Sequence, residues 1–321
     1  MLTSKVLMTP VRVLEPAAPI VTASKPTHWD LPLGPSNVPI DFGATRGWEL
    51  LRHADDSLPN RDSIEHVLTF GTDVTTAARH VSGGVNGKLP VLTFEDAAGQ
   101  RVDAVIKTVG RQGGAQEVLA YQVGRALHVD HLLARVGRRP NGDAAMEFVP
   151  GTTFEESFIN DSTTLEHALR DGWALRNPGM DNETIRRHAR IDRQLVQVFD
   201  NVTSNSDRHT GNAMFDAATG RVSLIDHGYI GWGGHDVIAR QRPTFLNGLD
   251  VSDTRAGKMV ELLPEVRGIV ERANTRQIEA AYRQFLDDTG TMMERDNNRM
   301  INGIRNRIDY IAATGKLQAS F

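Results

Sequence analysis

Two hydrophobic rhythms divide this chain, and they meet at Pro150-Gly151. Before that point, β-compatible apolar runs at 89–94 and 102–109 flank the turn-forming segment Glu95 to Gln100. Two more strand candidates, 132–137 and 144–149, flank Arg138 to Asp143. A helix is predicted at 114–127, where Val118, Leu119, Val123 and Leu127 form one apolar stripe. After Pro150-Gly151 the pattern is mainly helical, with helices expected at 163–175, 182–202, 256–272, 275–288 and 293–314. Thr275 is the expected N-cap of the fourth. The one strand pair expected in this half is 213–216 and 221–226, around Ala217 to Gly220. The chain of 321 residues can bury one large core or two lobes sharing a cleft. We therefore expect an α+β fold of two lobes, with a small β-rich lobe over 77–150 and a larger helical lobe over 151–321. Ahead of them, 1–43 is punctuated by Pro16, Pro19, Pro26, Pro32, Pro35 and Pro39 and reads as an extended or disordered leader. Segment 44–76 reads as a helical extension, with short helices at 46–53 and 63–70, the second capped by Asp62 or Ser63.

Composition narrows the chemistry. A net charge of -4 lacks the basic footprint of a general nucleic-acid binder. The absence of cysteine excludes disulfides, zinc-thiolate sites and a thiol nucleophile. No apolar run approaches bilayer length, so an integral membrane protein is not expected. Residues 1–13 lack the uninterrupted apolar stretch and cleavage site of a secretory signal. The expected location is cytoplasmic, or secreted into a host cell by a dedicated machine that reads the leader.

The most informative stretch runs from Asp200 to Asn212 and resumes at Ile225-Asp226-His227-Gly228. It sets Asp207, an amide at Asn212 and a second carboxylate at Asp226 around a tight hairpin. Asn212 and Asp226 supply the hard oxygens that magnesium prefers, while Asp207 suits a group that orients a hydroxyl and takes up its proton. Lys107 ends an apolar strand, from which its ammonium can reach phosphate oxygens. Glu117, early in the following helix, is placed to hold that lysine by an ion pair. Ser82-Gly83-Gly84-Val85-Asn86-Gly87-Lys88 joins two strands, and Gly83, Gly84 and Lys88 suit a loop whose backbone amides and charge approach phosphate. Met146 to Gly151, with Glu147 and Val149, reads as the connector between lobes, its backbone available to a nucleotide base. His209 would assist near a transferring phosphate or else only brace the loop, with the first favoured, and His227 would serve packing. No Gly-x-Ser-x-Gly elbow and no Gly-Lys-Ser/Thr phosphate loop is present.

These residues resemble the atypical kinases of the protein-kinase-like fold, namely the phosphoinositide 3/4-kinase-like group and the HipA-type toxin kinases. The string Asp207-Arg208-His209-x-x-Asn212 with Ile225-Asp226-x-Gly228 carries the resemblance. The order strand, Gly-rich turn, strand, strand, helix, strand, strand is similar to a kinase small lobe. The resemblance implies ATP and Mg2+ as cofactors, Asp207 as catalytic aspartate, His209 as an accessory catalytic residue, and Asn212 and Asp226 as metal ligands. His227 replaces the phenylalanine usual after the metal aspartate, and no Ala-Pro-Glu closes the activation segment. Segment 229–245 offers only Arg240 and Arg242 as basic residues, fewer than a lipid headgroup would call for. The leading expectation is a bacterial serine/threonine-protein kinase, an effector or toxin acting on a protein substrate, including a host protein. The alternatives are a phosphoinositide or other small-alcohol kinase, a nucleotide-binding pseudokinase, and an AMP transferase.

Overall fold

The computed structural model describes residues 63–82, 87–108, 113–154, 164–205, 207–228, 230, 240–241, 259–289 and 294–319. The leader, the helix expected at 46–53 and the loop glycines Gly83 and Gly84 lie outside the described residues.

The β-rich part is one antiparallel sheet. Its strands are β1 (Thr72–Asp73), β2 (Arg79–Ser82), β3 (Lys88–Glu95), β4 (Arg101–Lys107), β5 (Val136–Arg138) and β6 (Ala144–Glu147). The order is β1-β3-β4-β6-β5, with β2 also on β3. Helix α1 (Ser63–Phe70) precedes the sheet, and α2 (Gly114–Ala126) is inserted between β4 and β5. Alternation along the strands assigns the two faces. Phe94, Val102, Ala104 and Ala145 pack with Val67 and Leu68 of α1. Leu89, Val91, Val105, Met146 and Val136 join the larger core that contains the apolar side of α2. Lys107 has the parity of Val105, so strand register sends it to the α2 side. A slip of one residue would send it to the other.

The β3–β4 turn forms as expected. The Asp96 carboxylate accepts the Ala98 and Gln100 N–H groups, and Gly99 takes the positive φ of 79°.

The helical part comprises α3 (Thr164–Arg176), α4 (Asn182–Val202), α5 (Pro264–Glu271), α6 (Thr275–Thr289) and α7 (Glu294–Thr314). Asp181 caps α4 by accepting from the Glu183 and Thr184 N–H groups. The predicted hairpin is present as β8 (Ala213–Asp216) and β9 (Arg221–Leu224), and β7 (Thr152–Thr153) pairs with β8. Residues 133–134 run beside β9, where Ala134 N–H donates to Leu224 O at 3.1 Å, so the two parts meet at this hairpin.

Several expectations need correction. The helix expected at 256–272 is a strand, β11 (Met259–Glu261), followed by a helix that starts at Pro264. Proline has no N–H and biases the preceding residue away from helix, so Pro264 begins a helix and cannot sit within one. β11 pairs with β12 (Lys316–Ala319), which also pairs with β10 (Arg240–Gln241), so the 213–226 pair is not the only strand structure of this half. The strand expected at 132–137 is confined to 136–138, because Asp130–Leu132 forms a turn of 3-10 helix. At the start of α6, the Asn274 side chain accepts the Gln277 N–H in place of the expected Thr275 cap.

Candidate active site

The joint between β4 and α2 builds the first half of the site. Gly113 has φ 73°, and a Cβ on Gly114 would lie 2.5 Å from Lys107 O. Only glycine lets the helix start this close to the strand end. The first turn of α2 therefore presents Glu117 directly to Lys107, with Nζ to Oε1 at 2.6 Å. Both residues are buried, at 3% and 1% exposure. The same ammonium reaches Asp226 Oδ1 at 3.1 Å across 119 residues of sequence. Burial by itself would lower the Lys107 pKa, but Glu117 and Asp226 outweigh it and hold the ammonium charged. Burial likewise opposes ionisation of Glu117, and Lys107 and His227 outweigh it, so the carboxyl sits below the ordinary range.

Asp226 follows β9 with φ 52°, a left-handed conformation unusual outside glycine. Three contacts hold it. Lys107 binds its side chain, the His227 N–H donates to Glu117 Oε1 at 3.0 Å, and Arg208 donates to Ile225 O at 3.0 Å. The Asp226 side chain remains about half exposed, at 48%, so Lys107 does not cover it.

Arg208, the bulkiest of the fully buried side chains among the described residues, organises the second half. It pairs with Asp200 at 3.2 Å and donates to Asn212 O at 2.9 Å as well as to Ile225 O. One guanidinium thus ties the end of α4, the polar loop and the strand before Asp226. Asp200 also accepts from Asn205, whose side-chain oxygen accepts the Asp207 N–H at 3.1 Å. Asn212 Nδ2 donates to Asp207 O at 2.8 Å, and Ile225 N–H donates to Asn212 O at 3.0 Å. Asn212 therefore lies across the hairpin from Ile225, beside Asp226. Its Oδ1 and both carboxylate oxygens of Asp207 have no hydrogen-bond partner among the described residues.

Asn212 Oδ1 and the Asp226 carboxylate, whose Oδ1 also receives Lys107 Nζ, are one amide and one acid oxygen donor of the kind that suits a small hard cation such as magnesium. Among the described residues no group of three or more His, Cys, Asp or Glu side chains converges on a metal position. A cation here would complete its shell with phosphate and water, as magnesium ordinarily does.

The remaining expected residues are placed differently. The Glu147 carboxylate is bound within the fold by Arg221 and Arg135, with Arg221 Nη1 at 2.7 Å, which leaves the expected backbone role of this segment untouched. Burial opposes its ionisation, yet the two guanidinium groups hold its pKa at about 2. Its side chain braces β6 against β9. Phe148 N–H donates to Asp103 O at 2.8 Å, and the chain then leaves the sheet at the buried Val149. Lys88 is exposed at the same end of the sheet as Lys107, without an ion pair among the described residues. His209 is exposed, and its Nδ1 accepts the Gly211 N–H at 3.1 Å, so it caps the 3-10 turn at Thr210–Asn212. Arg208, Asp200 and Asn205 carry no role in the sequence reading. A buried arginine looks like any other loop arginine in sequence, and only its place in a polar loop, directly after Asp207, hints at it.

No protein-family model matches the chain, and no curated protein matches it in sequence. Among solved structures, the open conformation of CtTel1 is similar over 86% of this chain at 14% identity and a TM-score of 0.41, the match spanning 13% of that chain. The Helicobacter pylori proinflammatory kinase CtkA is similar over 77% of this chain and 97% of its own, at 14% identity and a TM-score of 0.40.

Proposed function

We propose that this chain is an ATP- and magnesium-dependent phosphotransferase acting on serine or threonine hydroxyls of a protein. The observation that carries this reading is the Lys107 ammonium, buried and bonded to both Glu117 and Asp226. A fixed cation beside a half-exposed carboxylate is what a nucleotide polyphosphate with its metal requires. Asn212 and Asp226 would hold the magnesium ion, which on binding neutralises charge on the phosphates. Lys107 would bind phosphate oxygens from the sheet side. The backbone after β6, near Val149, would receive the base, and Lys88, at the same end of the sheet as Lys107, would add charge near the phosphates. Asp207, whose backbone is bonded to Asn205 and Asn212 but whose carboxylate has no partner among the described residues, is available to orient the acceptor hydroxyl. The hydroxyl oxygen forms a bond to the γ-phosphorus as the bond to the ADP oxygen breaks, and the hydroxyl proton passes to Asp207.

The test is incubation of the purified chain with γ-labelled or α-labelled ATP, with candidate proteins and phosphoinositide vesicles side by side. Label from the γ position on protein is the expected result. Label from the α position would make the chain an AMP transferase, and label on lipid would replace the protein acceptor. Magnesium-dependent nucleotide binding without any transfer would make it a pseudokinase.

A further inference from the structure

We propose that His227 is a positioning residue, tethering the Asp226 turn to helix α2 through Glu117. The inference rests on the phosphotransferase reading and adds a role for a position that reading leaves to packing. Glu117 receives three hydrogen bonds, and two come from His227. Its Oε1 takes Lys107 Nζ at 2.6 Å and the His227 N–H at 3.0 Å, and its Oε2 is 2.9 Å from His227 Nδ1. An ionised carboxylate only accepts, so Nδ1 carries the proton and donates. The ring is 2% exposed and rests edge-on against Phe199, with centroids 5.6 Å apart. Phenylalanine in its place would keep that packing and leave Oε2 bare. A buried carboxylate oxygen stripped of its donor is costly, and the turn would lose one of its two links to α2.

The surrounding backbone makes the tether matter. A Cβ on Gly113 would lie 3.5 Å from Gly228 Cα, so the start of α2 lies against the loop with no side chain between them. Asp226 also stays left-handed against its intrinsic preference. Glu117 thus serves as one anchor for the phosphate-facing lysine and for the turn carrying the metal-facing carboxylate. One oxygen holds both the lysine and the backbone of the turn, and the second holds the turn again through the His227 ring.

The test compares His227→Phe, which keeps the ring, with His227→Asn, whose amide can donate where Nδ1 does. Hydrogen exchange is read over 113–119 and 224–228 in the full chain without metal or nucleotide, followed by kcat and KM for ATP and for the protein that takes the label in the assay above. His227→Phe is expected to speed exchange in both segments and to lower kcat by about 10–100-fold, the usual effect of removing a partner one shell from a ligand. KM for the protein acceptor should move less than about threefold, since the loss falls on the transition state. His227→Asn should recover most of both losses. Should His227→Phe not fold, His227→Leu takes its place against Asn.

Wild-type exchange and kcat in the Phe variant would overturn the tether. So would equal impairment in Phe and Asn, which would reduce the ring to packing. Slower exchange in wild type than in the Phe variant, with no phosphoryl transfer by either, would support the tether and sink the phosphotransferase reading.

Discussion

Lys107 shows burial and charge opposing each other at one atom. An unpaired ammonium at this depth would shed its proton, and the two carboxylates prevent that. Asp207 is the opposite case, half-buried with free carboxylate oxygens while its own N–H and C=O are both bonded. Asp207→Asn should therefore leave the fold and nucleotide affinity nearly intact while lowering kcat by about 10²–10⁴-fold. Single-turnover kinetics and a nucleotide titration separate those effects. Glu147 supplies a pH prediction. Its folded pKa, about 2, lies below the ordinary 4.5, so its contribution is present above pH 4.5 and fades as pH falls towards 2. Thermal midpoints recorded across that window should fall less steeply for Glu147→Gln than for the native chain. At neutral pH the variant should be less stable by about 3 kcal/mol, because Arg135 and Arg221 lose their counter-charge.

At the scale of elements, the site is two joints. One is β4 to α2, set by strand parity and by two glycines. The other is the β8–β9 hairpin, which Arg208 fastens to the end of α4. Gly114 tests the first, since a methyl there meets the Lys107 and Thr108 backbone at 2.5–2.9 Å. Gly114→Ala should push the first turn of α2 away from β4 and cost about 1–3 kcal/mol, as overpacked sites do. The urea midpoint reads that cost. A rise in KM for ATP in the same variant would report the loosened Lys107–Glu117 pair. Much of this scale is legible from sequence. The 182–202 helix and the 213–216 strand coincide with their expected bounds, since long amphipathic periods and a tight Gly-containing turn are local signals. The 256–272 segment is not legible in the same way. Its apolar residues fit a helical period; Pro264 is a local signal against one unbroken helix, but it is pairing with 316–318 that makes 259–261 a strand.

Across the whole molecule, the surface of α2 away from the sheet is covered by α6. The Asn274 N–H donates to Ala126 O at 2.9 Å at one end, and Arg138 pairs with Asp288 at the other. The helix carrying Glu117 is thus clamped between the sheet and a helix near the far end of the chain. Phe285, 3% exposed on α6, lies within that core. Phe285→Ala should destabilise the chain by about 3–5 kcal/mol. A urea unfolding curve that stays two-state would show that the clamp and the sheet unfold together. Two transitions would show that they do not. Among the described residues no helix is long and apolar enough to cross a membrane.

The sequence by itself determined the α+β division, most element positions and the donor types of the site, because periodicity, turn chemistry and side-chain functional groups are local properties. Folding decided which of those groups meet. Glu117 and Glu147 are both glutamates next to expected site elements, yet one binds Lys107 and the other is consumed by two arginines. The burial of Arg208 and the second bond of His227 to Glu117 likewise depend on contacts between residues far apart in the chain. Burial and long-range pairing are properties of the packed chain, since the desolvation that makes each pairing obligatory exists only once the core has closed.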